Sequence, residues 1–477
     1  MTIHNLNKRR SFTTLYIVFT VLVVVNILTI SSQLTLIVTL PEYAIVLYLL
    51  FKGDIKSSVL LHFTFITLSL SAQGTLGMFE DHNLIMYNYG TVKLIGPVRA
   101  CYALNIIYCI ALLGKAIKLR KSSLFLKLYK TLCYLCISAT IIGIGGLIIN
   151  QYYSFDSFKD YGIYAFVIVT TMFIIVRVAD HSFIKDAYHL TLVSIMAGIC
   201  GSFLCYISGR VVSHYSIYDI AYLADITLMA PALIIGIPQI RQKGLMWISL
   251  LLYSVLIITA LGGKSVFALA FSFLALVYLL YFDIGTKQSL LRKDIMLRPM
   301  VLILGIGVLF YVMQNVTSES MAGYKFSSFL SLFSGDLSSI SRSPYIRIAS
   351  LMNIINDGLS NPFALFFGNG FGGFFQDNLG LFTGIDLSHG AFKDEIVASG
   401  RFTTGHDTMV TVPLFNGLVG LFLVIKITWQ YVKRINKNYM SSIAFFWLFL
   451  MFYFNTIYAM IGLFGLIGAE YSFENEQ

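Results

Sequence analysis

The chain has 477 residues, 57% of them hydrophobic and 12% charged, with a formal net charge of +10. Soluble domains carry about twice that charged fraction, so a soluble globular protein is excluded. The apolar runs are continuous and do not alternate, which argues against a transmembrane barrel. The positive charge sits in short turns between apolar runs, so it reads as a topology signal and not as a nucleic-acid surface.

Taken in order, about thirteen runs approach the length that crosses a bilayer. They cover 12–32, 34–51, 57–73, 99–117, 129–150, 162–178, 189–208, 218–239, 245–261, 264–283, 299–315, 408–429 and 440–467. The expected fold is an all-α polytopic integral membrane protein of about 12–14 transmembrane helices with one large loop. The first run has a basic start, Lys8, Arg9 and Arg10, and no clear small-residue cleavage site, so it reads as a membrane helix and not as a removed signal. The last run exceeds one span and is expected to tilt or to split. All six cysteines lie in apolar spans, and the Cys133–Cys136 pair has no partner ligands nearby in sequence. They read as small buried hydrophobes.

Placing the N-terminus in the cytoplasm puts 23 of the 33 basic residues on the inner side, turn by turn. Lys115, Lys118, Arg120, Lys121, Lys127 and Lys130 form the densest inner group. Ten fall outside, among them Arg210, Lys264, Lys325, Arg342, Arg347 and Arg401. These six lie near span ends or in the long loop, where they can form a basic cup on the outer face. Three regions follow: residues 1–315 with spans one to eleven, a loop over 316–407, and the last spans over 408–477. The loop has too many aromatic and aliphatic residues to be simply disordered. Loops this long in compact architectures are usually functional or disordered. It is read as an active-site loop, folded like a lid.

Within the loop, Ser341 or Ser343 could cap a helix with Pro344 in its first turn. Ile348, Leu351 and Ile355 keep a helical stripe, and Gly358 is the expected stop. Asn361-Pro362 is expected to open a turn. The segment FALFFGNGFGGFF (363–375) is expected to lie flat on the membrane surface or to dip into it. Gly368-Asn369-Gly370-Phe371-Gly372-Gly373 matches G-x-G-x-x-G formally, but no preceding strand, following helix or ribose-binding acid supports a dinucleotide site. Its glycines are better suited to a tight turn or close backbone approach.

His406 stands where the loop re-enters the membrane, between Gly405 and Asp407 and near Arg401. A neutral imidazole can take a proton from a hydroxyl; an interfacial polar residue is the plainer reading. Arginines on one side suit phosphate oxygens. No D-x-D on the outer side, no His/Cys cluster with metal spacing and no Walker motif occurs, so neither a metal ion nor a cofactor is expected.

These residues resemble the bacterial O-antigen ligases and O-antigen polymerases of the Wzy type. The family's late signature is a histidine, a small amide or similar residue, nine positions, then G-x-x-G. Here it is His406, Asp407, the nine residues 408–416, Gly417 and Gly420. Arg342, the helix after it, Asn361-Pro362 and Gly368-Asn369-Gly370 are similar to the loop pattern, and Gly262-Gly263-Lys264 to a span start that more often carries arginine. The departures are Asp407 and Lys264; the resemblance covers about 207–420.

The resemblance implies a metal-independent, inverting glycosyltransferase similar to the C-type membrane fold, in the bacterial inner membrane with its large loop periplasmic. The implied donor is an undecaprenyl-pyrophosphate-linked glycan. Membrane lipid and a chain-length regulator protein are the further partners, and nucleic acid is not one. His406 and Arg342 would be catalytic; Arg210, Lys264, Arg347, Arg401 and Asp407 would bind pyrophosphate or glycan. The expected activity is O-antigen polymerase. A ligase that transfers polysaccharide to lipid A–core is the alternative, and a lipid-linked oligosaccharide flippase a second. A flippase predicts buried charges along a central path and an inverted repeat, and no repeat between the halves is visible.

Overall fold

The computed structural model describes residues 14, 17–28, 35–69, 89–95, 98–119, 123–149, 153–207, 342–385, 387, 392, 394–403, 408–434, 439–452, 456, 459–460 and 462–467. The expected spans 218–239, 245–261, 264–283 and 299–315 lie outside the described residues. The chain divides into two compact units, Met1–Val92 with Ser182–Ser327, and Lys93–His181 with Ser328–Gln477.

The described part is mostly helical. The first unit holds α1 (Ile17–Leu28), α2 (Thr35–Phe51), α3 (Ile55–Leu68) and nearly all of α7 (His181–Ile207). Apolar helices gain little by hiding from lipid, so small polar groups tie them together. Asp54 caps α3 by accepting from the Ser57 amide at 3.2 Å, and the Ser58 hydroxyl reaches back to Val46 O at 2.7 Å. Asn26 Nδ2 donates to Gly198 O at 2.9 Å, and Ser194 Oγ to Thr64 O at 2.9 Å. His62 is fully buried, with Nδ1 2.8 Å from the Tyr89 hydroxyl. Tyr43 stacks on Tyr89 at 4.1 Å and donates to its carbonyl.

The second unit begins with an antiparallel hairpin, β1 (Lys93–Ile95) and β2 (Val98–Arg99). This small element is absent from the all-helical expectation, because two short strands carry no periodicity. It is followed by α4 (Ala100–Leu112), α5 (Leu124–Ile149) and α6 (Phe155–Val178). After the long loop come α11 (Thr408–Val432) and α12 (Tyr439–Met451). Among the described residues α5, α6 and α11 are long and apolar enough to cross a membrane, the pattern of a multi-pass membrane protein. Ser154 caps α6, with Asp156 in its first turn and Arg177 in its last, each at the favourable end of the helix dipole.

One end of this unit collects cations. The Lys118 amide donates to Val176 O, Arg177 Nε donates to Lys115 O at 3.0 Å, and Lys118 pairs with Asp180 at 3.4 Å. The start of α5 follows these residues closely in sequence, and Lys433 and Arg434 follow the end of α11. The far ends of α5 and α11 meet the long loop.

The loop carries α8 (Arg342–Ser360), α9 (Pro362–Phe367) and α10 (Asp394–Ser399). Two expectations need correction here. Gly358 does not stop α8, which runs on to Ser360. A Cβ at Gly358 would come within 2.9 Å of Leu365, so the glycine serves the close return of α9. Asn361-Pro362 opens that helix, with Asn361 Oδ1 accepting from the Ala364 amide. The face that α8 buries is Ile346, Ala349, Ser350 and Asn353, not the stripe of Ile348, Leu351 and Ile355. The buried face includes Ser and Asn, whose hydrogen bonds a hydrophobic period does not register.

Candidate functional site

The best-defined site in the second unit lies where the glycine-rich turn meets two spans. Helix α11 contains Pro413, which has no amide hydrogen, and breaks at Gly417 with φ 60° and ψ −156°. The break leaves carbonyls without their usual partners. The turn after α9 supplies them: the Asn369 amide donates to Leu414 O at 2.7 Å and the Gly370 amide to Phe415 O at 3.1 Å. On its other side the Phe371 amide donates to Ala139 O of α5 at 2.9 Å.

The approach is close enough to exclude side chains. A Cβ at Gly417 would lie 2.5 Å from the Phe366 carbonyl carbon and 2.6 Å from the Gly368 nitrogen. One at Gly370 would collide with the Gly143 nitrogen, and one at Gly143 with Phe371 O. Gly368 and Gly370 also hold positive φ, 78° and 67°. The glycines of the turn therefore serve backbone approach, as the sequence suggested.

Asn416 bolts the two spans together. It is buried, and its Nδ2 donates to Leu135 O at 2.8 Å and Ser138 Oγ at 3.0 Å. The Tyr153 hydroxyl donates to Asn369 O at 2.9 Å, and burial pushes this phenol above its ordinary pKa. Gly372 O accepts from the Ser154 amide, so the turn leaves beside the start of α6.

Beyond the turn, α8 is latched to the following segment. Asn353 Nδ2 donates to Asp377 Oδ1 at 2.8 Å, and Asn353 Oδ1 accepts from the Leu379 amide. Asp377 also accepts from the Leu381 and Phe382 amides, at 2.9 and 2.8 Å. Asp357 accepts from the Gln376 amide and from Asn378, and the Tyr345 hydroxyl donates to Leu381 O at 2.9 Å. Phe375, Phe382, Phe392 and Phe402 form a buried aromatic cluster. Phe375 and Phe402 exchange both backbone hydrogen bonds.

The expected site residues divide accordingly. Arg342 is the first residue of α8, and Arg347 lies half-buried on the same helix. Arg401 is half-buried, with its guanidinium 5.6 Å from the Phe374 ring, which puts it beside the segment leaving the glycine turn. Arg210, Lys264, His406 and Asp407 lie outside the described residues. The chain on either side of His406 is held: Thr403 O accepts from Ser157 Oγ at 3.3 Å, and the Thr408 hydroxyl bonds Phe449 O. Among the described residues, no group of three or more His, Cys, Asp or Glu is placed to hold a metal ion.

Sequence reasoning missed Asn353, Asp357, Asp377 and Asn416. The Asp-Asn-x-Gly run at 377–380 was the available signal, since Asx residues before glycine fold back onto following amides. Asn416 gave none beyond being a buried amide in an apolar run. Comparison with family models, with curated proteins and with solved structures finds no match to this chain.

Proposed function

We propose that this protein is an O-antigen polymerase. On this reading it has about 12–14 spans in a bacterial inner membrane and joins undecaprenyl-pyrophosphate-linked repeat units at its periplasmic face. One observation carries the reading. The glycine turn at Gly368 and the break at Gly417 belong to two sequence patterns that resemble the family separately, and they pack against each other. The spans' basic ends lie away from this turn, which supports an outer placement.

The chemistry follows from the residue types. His406, in its neutral form, takes the proton of an acceptor sugar hydroxyl. The oxygen attacks the anomeric carbon of the donor from the face opposite the pyrophosphate. The carbon–oxygen bond to pyrophosphate breaks, the configuration inverts, and undecaprenyl pyrophosphate leaves. Arg342 holds charge that builds on the leaving oxygens, with Arg210, Lys264, Arg347 and Arg401 as further cations around the phosphate. Asp407, beside His406 in sequence, contributes to holding the glycan. The donor is already activated, so no nucleotide and no metal ion is needed.

The test is deletion of this protein from its own host and its restoration, read as a polysaccharide ladder on a gel. A ladder with the protein, and core plus one repeat without it, is the expected result. Absence of any attached repeat without the protein would mean ligase; repeat units trapped on the cytoplasmic leaflet would mean flippase. His406→Ala should lower activity about 10²–10⁴-fold and Arg342→Ala about 10²–10³-fold, with both proteins still in the membrane. Wild-type ladders from both variants would overturn the site.

A further inference from the structure

The segment from Asn361 to Gly373 goes into the second unit and comes back out on the same side. Its depth can be measured along the spans. Ala139, which accepts from the Phe371 amide, lies ten residues before the end of α5, and Phe415, which accepts from the Gly370 amide, lies seven residues after the start of α11. At 1.5 Å per residue these are about 15 and about 10 Å below the ends of the two helices. The returning arm meets the Ser154 amide just before α6 begins.

Helix α5 has 26 residues, or about 39 Å, against a hydrocarbon core of about 30 Å. Its ends therefore overshoot the core by about 4–5 Å each. Measured on α6 instead, whose Ser154 and Phe158 meet Gly372, the turn lies at the edge of the core, so its tip reaches between about 0 and 10 Å into one leaflet.

Backbone polar groups at that depth must be satisfied by protein. The amides at the tip are: those of Gly368, Asn369, Gly370 and Phe371 bond Ala364 O, Leu414 O, Phe415 O and Ala139 O. The descending arm, α9, buries none of its six residues and leaves Phe363 59%, Phe366 51% and Phe367 44% exposed. An aqueous loop would not hold three phenylalanines out on six residues. The backbone of Phe366 packs on Gly417 of α11, and the next residue, Leu418, opens that span's exposed apolar face, which continues through Phe422, Ile425 and Trp429.

We propose that 361–373 is a re-entrant hairpin, and that Phe363, Phe366 and Phe367 lie among the acyl chains of one leaflet as a continuation of the lipid-facing surface of α11. The proposal rests on α5 and α11 crossing a bilayer and not on glycosyl transfer, so it stands or falls apart from the proposed activity.

The experiment replaces Trp247, Trp429 and Trp447 with Phe and introduces Phe366→Trp as the single tryptophan. Phe363→Trp is the second position, in case the first variant does not fold. The protein is reconstituted in phosphatidylcholine vesicles whose acyl chains carry bromine at carbons 6 and 7, or at 11 and 12. A protein keeping Trp429 alone is the lipid-facing standard. Brominated lipid is expected to cut the emission of either new tryptophan at least twofold, as it does for the standard, with the shallower bromines the stronger quenchers. Acrylamide in the water should change it little. Strong quenching by acrylamide without quenching by bromolipid would put the helix in water and overturn the proposal. Protection from both would show the face covered by protein, and would also overturn it.

Discussion

Replacing Gly417 by alanine tests whether the broken span is an integral part of the fold. Two effects add. At φ 60° and ψ −156° an L-residue sits in a sparsely populated region, at a cost of about 1–3 kcal/mol. The new Cβ would also lie 2.5 Å from the Phe366 carbonyl carbon and 2.6 Å from the Gly368 nitrogen. Both are backbone atoms, and the Gly368 amide is held by its bond to Ala364 O, so relief requires moving the turn, and overpacking of this kind costs about 1–3 kcal/mol. The sum is about 2–6 kcal/mol. Gly145→Ala is the matched control. It lies inside α5 with no neighbouring atom within 4 Å of the place its methyl group would take, and alanine is the better helix former by up to about 1 kcal/mol. The assay is thermal inactivation of the monodisperse protein in detergent, followed by size exclusion after heating. Gly417→Ala should lose its native peak several degrees below wild type, while Gly145→Ala should match or exceed wild type. Equal melting of the two variants would refute the packing argument.

Three further outcomes are expected. Asn416→Leu removes the bonds to Leu135 O and Ser138 Oγ; it should lower stability by about 1–3 kcal/mol, read in the same melting assay. Asp377→Ala deletes acceptors for Asn353, Leu381 and Phe382, and limited proteolysis should then cut the 376–385 segment at least several-fold faster while leaving α5 and α6 intact. Asp54→Ala should cost about 1 kcal/mol as a lost helix cap and Asp54→Asn much less. Hydrogen bonds from the Ser57 side chain and backbone hold the Asp54 carboxyl below its usual pKa. The charged cap therefore contributes above the ordinary carboxylate pKa and fades as pH falls through the lowered one, so wild type and Asp54→Asn should converge in melting temperature in acid.

The sequence made the spans legible because they are long and uniformly apolar. Expected 129–150 and 162–178 correspond to Leu124–Ile149 and Phe155–Val178, and 408–429 to Thr408–Val432. Ends moved by up to seven residues because polar first turns such as Phe155-Asp156-Ser157 are helical through their caps and not through hydropathy. The glycine turn was legible in kind, since clustered glycines permit close approach, but not in partner. Nothing in Gly370 names Phe415 or Ala139; those carbonyls become available only once α11 breaks and α5 lies alongside. The latch of Asn353 and Asp357 was hidden for a related reason: polar residues on the inner face of an amphipathic helix look like errors in a hydrophobic stripe until their acceptors are known.

The bolted hairpin changes what the loop can do. The 92 residues of 316–407 are expected to fold as a lid over a site. The described interior of that stretch is tied to three spans, by Asn369 and Gly370 to α11, by Phe371 to α5, and by Gly372 and Thr403 to the start of α6. Opening it as a unit would break those hydrogen bonds together. The base of the loop is therefore a fixed floor, and Arg401 is carried on it through the Phe375–Phe402 pairing.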